Sequence, residues 1–465
     1  MSESLGPIGA ALDLYRAQRE GPTGIDRRRQ LRLGELVEYA RERSPYYRRL
    51  YRGLPSGVSD PHLIPWVSKR DLMADFDDWV TDPALTLSGV RDFVSDPHRV
   101  GRPYLGRYYP ITTSGSTGEP ALIIHDSHSW LMLALLGRLR MAARFERREL
   151  LAIGERGVRM AALFATGGHY GGEVFAAKVV HEHPWLASRI RILSVLEPTG
   201  KLVEKLNLFQ PATLAGYPSA LALMAAEQAA GRLRISPVLA RTAGENLTDE
   251  IRSRITSGLG CRVIDSYASS EAPALGTECQ YHWQHINTDW YVFEPVEADY
   301  SPTPPGKLSA TVLVTNLANR VQPFIRYDLG DRIIVKPDPC PCGSPFPAVR
   351  VMGRSTNLLG FVAADGAEVQ VIPLALGSVI EHVPGLHRFQ AIRTGSSSLR
   401  LRIQTEPDAD TAVVFMEARS RLSAYLEAQG AAAVRIDLDP EPPRPDPGSG
   451  KFHEVWSETG TEPKH

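Results

Sequence analysis

From residue 108 onward, short apolar runs alternate with longer stretches whose apolar positions recur at helical spacing. Residues 108–113 and 121–125 read as strands, and residues 130–144 as a helix. Further apolar runs at 189–196, 213–215, 238–242 and 261–267 predict short strands, with a helix over about 219–230. Strands alternating with helices predict a layered α/β domain. The last part of the chain differs in character. Residues 307–315 and 332–335 predict antiparallel β structure, and Gly353-Arg354 opens a smaller unit. That unit holds predicted strands near 388–394, 399–404 and 434–438 and a helix over about 410–429, followed by the run EPPRPDPGSGK. Its prolines and glycines mark an extended connector. The expectation is a large layered N-terminal domain of β-sheets and helices, residues 1–353, and a small, mobile α+β C-terminal domain, residues 354–465. Nearer the start, residues 27–50 are Arg-rich with apolar residues at roughly helical spacing. Because Glu35, Glu38 and Glu42 interleave with the arginines, this segment reads as a solvated surface helix and not as a nucleic-acid contact.

Composition narrows the class. A chain of 465 residues exceeds what one hydrophobic core organises, which agrees with two domains. With 43% hydrophobic and 23% charged residues, it has the make-up of a folded soluble enzyme. A formal net charge of −1 favours neither a nucleic-acid partner nor an anionic membrane surface. The first residues carry no basic cluster followed by an apolar core, so no secretory signal is expected. The most apolar short stretch, 130–136, stops at Arg138 and Arg140, far short of a membrane span. Four cysteines do not make a secreted disulfide framework, and the cytoplasm is the expected compartment.

The strongest chemical signal is Thr112-Thr113-Ser114-Gly115-Ser116-Thr117-Gly118-Glu119-Pro120. Its glycines free the backbone to turn several N–H groups toward one point, and its hydroxyls add donors, which makes a nest for a polyphosphate. It is not a Walker-type loop, because the Gly-Lys-Ser/Thr ending is missing and predicted strands flank it. A Ser/Gly linker would not ordinarily sit between two apolar strands.

This segment resembles the phosphate-binding loop of the adenylate-forming superfamily: acyl-CoA synthetases, luciferases and peptide-synthetase adenylation domains. Further segments follow in the family's order. Ala243-Gly244-Glu245-Asn246 resembles the adenine-contacting turn, and Asp265-Ser266-Tyr267-Ala268-Ser269-Ser270-Glu271 the aromatic-Gly-x-Thr-Glu motif. Residues 326–331, RYDLGD, are similar to the segment ending in the ribose-binding aspartate, here Asp331. Gly353-Arg354-Ser355 resembles the hinge motif and Gly450-Lys451 the catalytic lysine motif. Within the superfamily the likeness is greatest to phenylacetate–CoA ligases, on Gly167-Gly168-His169-Tyr170-Gly171-Gly172-Glu173, the intact IRYDLGD and the CPCG element.

The resemblance implies ATP-dependent activation of a carboxylic acid, an aryl acid by the aromatic residues Tyr170 and Tyr217, to acyl-AMP with loss of pyrophosphate. Transfer to CoA would follow. Ser114 through Gly118, with Thr117 foremost, would hold the β- and γ-phosphates, and Glu271 would hold Mg²⁺. Asp331 would accept the ribose hydroxyls, and Tyr267 would stack on adenine or border the acid pocket. Arg354 would reach phosphate or ribose oxygens, and Lys451 would bridge the carboxylate and the α-phosphate. His169, Tyr170, Gly216, Tyr217, Ala243, Tyr267 and Pro273 are the candidates for the acid pocket. Three departures stand out: Ala121 replaces a lysine common in the wider family, Ala268 replaces a glycine, and Thr356 occupies the hinge position. An amine or a carrier-protein thiol as acceptor, or an inactive nucleotide-binding relative, are the rival readings.

Cys340-Pro341-Cys342-Gly343 reads as a tight turn with both thiols on one side, and Cys279 lies upstream with His282 and His285 after it. Three thiolates and a histidine suit one structural Zn²⁺. Resemblance to phenylacetate–CoA ligase relatives that hold zinc in this way selects Cys279, His285, Cys340 and Cys342, with His282 as the alternative histidine. Cys261 falls in a predicted core strand.

Overall fold

The computed structural model describes residues 6–113, 121–352, 358–363, 366–381, 383–444 and 454–458. Ser114, Gly115, Ser116, Thr117, Gly118, Arg354, Thr356 and Lys451 lie outside the described residues.

The chain opens on helix. Pro7–Arg43 is helical apart from a kink at Gly21-Pro22, and Pro45–Leu50 forms a second, short helix. The segment expected as one helix over 27–50 is thus cut at Ser44, which is extended (φ −100°, ψ 118°). Proline at 45 clashes with a helical residue before it, and Ser44 turns its hydroxyl to the backbone N–H of Tyr47 as a cap. Nor is the segment solvated all round: Leu33, Leu36, Val37 and Ala40 are buried.

The centre of the molecule is a nine-stranded sheet. Its spatial order is Ile333–Val335, Ala348–Val351, Gln284–Ile286, Gly276–Glu278, Arg262–Tyr267, Leu239–Ala243, Thr213–Gly216, Met160–Phe164 and Ile190–Ser194. The last five strands in that order are mutually parallel, and the other pairings are antiparallel. Helices Gly171–Glu182, Thr199–Phe209, Pro218–Ala229 and Asp249–Leu259 connect the parallel strands, as crossovers between parallel neighbours require. The predicted strands at 189–196, 213–215, 238–242 and 261–267 all lie in this half.

Two smaller sheets flank it. Tyr109–Thr112 pairs antiparallel with Leu122–His125, so strands do border the Ser/Thr/Gly loop. Thr113 continues the ladder by donating its N–H to the Ala121 carbonyl at 3.0 Å. Tyr291–Val296, Thr311–Asn316 and Tyr327–Asp328 form a three-stranded antiparallel sheet, so the strand expected over 307–315 begins later.

After residue 358 the chain forms a hairpin, Leu359–Val362 with Glu368–Val371, then helix Pro373–Ile380. A four-stranded sheet follows in the order Arg435–Leu438, Ser398–Thr405, Leu386–Gly395, Val455–Ser457, with helix Thr411–Ala428 packed against it. This is the α+β unit the sequence predicts. It touches loops at the carboxyl ends of the parallel strands: the Tyr170 hydroxyl donates to Glu381 at 2.6 Å, and Gln429 Nε2 donates to the Glu197 carbonyl at 3.0 Å.

Candidate active site

In an open α/β sheet, ligands settle outside the carboxyl ends of the parallel strands, near the point where strand order reverses. Here that point lies between Met160–Phe164 and Thr213–Gly216, whose chains continue to opposite sides. The candidate segments collect along this edge. His169 and Tyr170 follow Met160–Phe164, Gly216 and Tyr217 end the next strand, Ala243 ends Leu239–Ala243, and Tyr267 ends Arg262–Tyr267.

Contacts tie these segments together. Residues 112 and 170 form a parallel bridge, and the Thr112 N–H donates to the His169 carbonyl at 2.8 Å. The loop carrying His169 and Tyr170 therefore lies beside the start of the Ser/Thr/Gly segment. A Cβ added to Gly171 would sit 3.7 Å from Ile111 Cγ2 and 3.9 Å from Ser270 Oγ, so the Ser-Ser-Glu segment meets both. Phe164 and Tyr217 meet edge to face at 5.1 Å. The Tyr217 ring covers Gly244, whose φ of +85° and 3.1 Å clearance leave little room for a side chain.

The acidic residues divide by environment. Tyr267 donates its hydroxyl to Asp331 at 2.7 Å, and Tyr327 donates to Glu271 Oε1 at 3.0 Å. Asn316 holds the Glu271 carbonyl at 2.8 Å, which fixes that residue's backbone. Both Asp331 and Glu271 keep part of their surface accessible. Asp265 instead takes bonds from Thr242 and Gln284, within the sheet, and burial pushes its carboxyl up to about 7. Glu245 accepts from the N–H and hydroxyl of Ser219 at the start of helix Pro218–Ala229, and burial raises it likewise to about 7. His169 is 1% exposed, packs on Phe93 and lies 3.3 Å from the Asp96 carbonyl, and burial lowers its pKa. Asp265, Glu245 and His169 thus brace the edge through bonds to neighbouring elements, and Tyr170, Tyr217, Ala243, Ser266, Ala268, Ser269 and Pro273 lie along it, partly or almost wholly buried.

Some participants carry no sequence signal of their own. Tyr327 lies inside the RYDLGD segment, but its bond to Glu271 spans 56 residues. Glu381 reaches Tyr170 across 211 residues, from just past helix Pro373–Ile380. Burial lifts the Glu381 carboxyl to about 7, the Tyr170 bond opposes this, and Glu454 adds to it.

The cysteines gather elsewhere. The ligand atoms of Cys279, His285, Cys340 and Cys342 all lie within 4.8 Å of one another. The Cys279 and Cys340 sulfurs are 3.7 Å apart, too far for a disulfide and close to the ~3.8 Å edge of a tetrahedron with 2.3 Å metal–sulfur bonds. His285 Nε2 is 3.1 Å from the Cys342 sulfur, and its Nδ1 donates to the Phe346 carbonyl at 2.9 Å, which leaves Nε2 free to ligate. The donor set and its spacing fit a closed tetrahedral metal site. His282 turns its Nδ1 to Glu278 instead. Gly276 pairs with Tyr267 in antiparallel register, so Cys279, three residues on, lies toward the opposite edge of the sheet from Tyr267.

The parallel strands thus gather these segments at their carboxyl ends, with an α+β unit resting on the same edge. No family model matches the chain. Among solved structures it superposes on 2-hydroxyisobutyryl-CoA ligase in complex with 2-HIB-AMP and CoA in the thioesterification state. That match has a TM-score of 0.55 at 18% identity and covers 93% of this chain and 89% of that one. The same ligase in the postadenylation state gives 0.53 at 19% identity, over 94% and 90% of the two chains. In sequence the chain is 27% identical to the phenylacetate-coenzyme A ligase of Thermus thermophilus over 372 residues, 76% of this chain and 75% of that one. It is 31% identical to protein CapK of Staphylococcus aureus over 133 residues, 28% of each. The likeness to phenylacetate–CoA ligases read from the sequence recurs in the first of these two relatives.

Proposed function

We infer that the protein is an ATP-dependent, AMP-forming acid–CoA ligase that makes an acyl-AMP and passes the acyl group to CoA. The observation that carries this reading is the convergence of the Thr112, Tyr170, Ala243, Tyr267 and Asp331 segments on one sheet edge. In this reading Ser114 to Gly118 cradle the phosphates, and Asp331, oriented by Tyr267, accepts the ribose hydroxyls. Glu271 is suited to hold Mg²⁺, since Tyr327 occupies only one of its carboxylate oxygens. Lys451 bridges the carboxylate and the α-phosphate, where charge accumulates as the acid attacks. The chain divides at residue 353, and residues 354–465 turn between the two half-reactions, with Arg354 at the seam. The Cys279, His285, Cys340 and Cys342 cluster holds one zinc ion in a structural role, supported by its closed donor set. The acid is aryl, in keeping with the Tyr170 and Tyr217 rings, and the enzyme works in the cytoplasm. Among the described residues, no helix is long and apolar enough to cross a membrane.

The test is pyrophosphate exchange over a panel of carboxylic acids, repeated as thioester formation with and without CoA. Exchange with at least one acid and its consumption of CoA are expected. A CoA-independent product would move the acceptor to an amine or a carrier-protein thiol, and exchange with no acid would overturn the reading. Lys451→Ala should block acyl-AMP formation yet still convert supplied acyl-AMP and CoA to thioester, because a contact made in one transition state slows only that step.

A further inference from the structure

Arg241 stands in the middle of a central strand, where a charged side chain is ordinarily paired. It has no partner. Among the described residues the Arg241 side chain makes no hydrogen bond or ion pair, and its Nε is buried and unsatisfied. Burial alone acts on its charge, lowering its pKa with no acidic neighbour to oppose it.

The sheet register shows which way it faces. Arg241 pairs with Ala215 on one side and Ile264 on the other, and Ala215 pairs in turn with Ala162. In a parallel sheet such partners share a face, so Arg241 has Ala215 and then Ala162, both small, on one side and Ile264 on the other. On strands Thr213–Gly216 and Leu239–Ala243 this face is the more accessible one, while Ala162 and Ile264 on the neighbouring strands are buried. Thr213 and Ala215 keep accessible surface while Leu214 and Gly216 are buried, and Arg241 and Ala243 keep it while Ala240 and Thr242 are buried. Leu239, two residues before Arg241, and Ile264, beside it, pack with Met141, which closes the face below Arg241 and on that side. Above it, two residues along the strand or roughly 6.8 Å, Ala243 reaches the carboxyl edge where the acid is activated.

We propose that Arg241 is the specificity-determining floor of the acid pocket, and that the substrate is a dicarboxylic acid whose second carboxylate binds this guanidinium while the first is activated at the edge. The proposal rests on the acyl-AMP reading above. A strand rise of two residues matches the span of a para-substituted benzene ring, so the second carboxylate belongs at the far end of an aryl or similarly long spacer. Arginine suits the task because its planar fork pairs with a carboxylate through two parallel bonds.

The experiment compares 4-carboxyphenylacetate with phenylacetate, and adipate with hexanoate, in pyrophosphate exchange and in calorimetric binding without ATP. Wild type should favour the diacid of at least one pair by about 10²-fold or more in kcat/KM, since a site built for a polar group is left unpaired by the analogue that lacks it. Arg241→Met should bring that ratio near unity, and Arg241→Lys should restore part of it. The methionine variant removes an unpaired charge, so its melting temperature should hold or rise, which reports that it folds. A wild-type preference for both monoacids, or an undiminished diacid preference in Arg241→Met, would overturn the proposal. Arg241-dependent binding of a diacid without exchange would instead uphold it and remove the acyl-AMP reading, whereas absence of both binding and exchange would remove both.

Discussion

Replacing Tyr267 with phenylalanine removes one hydroxyl and leaves the ring in place. That hydroxyl donates to Asp331 at 2.7 Å, and the ring stays edge to face with Phe293 at 6.3 Å. The residue is 8% exposed, so water does not readily replace the lost donor. A hydrogen bond to a charged partner contributes about 1.5–3 kcal/mol, and about 1.4 kcal/mol corresponds to a factor of ten. If Asp331 grips the ribose, that loss falls on nucleotide binding. The KM for ATP should rise about 10- to 100-fold in pyrophosphate exchange, with kcat changed far less. Asp331→Asn should raise it similarly, and the double variant should add little, because the two side chains act as a unit. A melting temperature near wild type confirms an intact fold. An unchanged KM in a folded Tyr267→Phe protein, or full additivity with Asp331→Asn, would refute the assignment of this pair to the nucleotide.

Cys340→Ser should lose metal from protein that otherwise carries close to one zinc per chain by elemental analysis. It should lower the melting temperature more than it lowers turnover per folded molecule, because the cluster lies toward the far edge of the sheet. Arg140 and Asp289 form a buried ion pair at 2.8 Å, with the guanidinium 4.2 Å over the Phe346 ring. Arg140→Met should destabilise by about 3–5 kcal/mol in denaturant unfolding, as breaking one side of a buried pair does, without altering the ratio of acid substrates. Glu381 has its pKa raised from 4.5 to about 7, so the folded state binds the proton more tightly than the unfolded chain does. Its contribution is fully present below about pH 4.5 and is lost as pH rises to about 7. Glu381→Gln should therefore match wild type in melting temperature near pH 4.5 and exceed it above pH 7; parallel curves would contradict the buried setting.

The candidate segments were legible because they are written in local strings. The nucleotide segments and the Cys-x-Cys turn are contiguous, and cysteine and histidine have few structural substitutes as metal ligands. Strands rich in β-branched residues, such as Arg262–Tyr267, also declared themselves. Met160–Phe164 did not: its sequence MAALF is made largely of strong helix formers, and only its place between two parallel neighbours makes it a strand. Gly276–Glu278 and Gln284–Ile286 are too short for a period to show. The Ser44 break was readable from Pro45, whereas the buried stripe along the preceding helix depended on partners far along the chain. The same holds for Glu381 beside Tyr170 and for the isolation of Arg241, which are properties of packing and have no local signature.

The bond from the Tyr170 hydroxyl to Glu381 joins a residue proposed to line the acid pocket to the α+β unit. A ligand that takes the hydroxyl proton competes with Glu381 for it. By thermodynamic reciprocity, whatever such a ligand subtracts from the hold on the α+β unit, release of that unit returns to the ligand's affinity. Occupancy of the pocket and the resting place of a distant unit then become two readings of one equilibrium, and a change to either side chain would shift both.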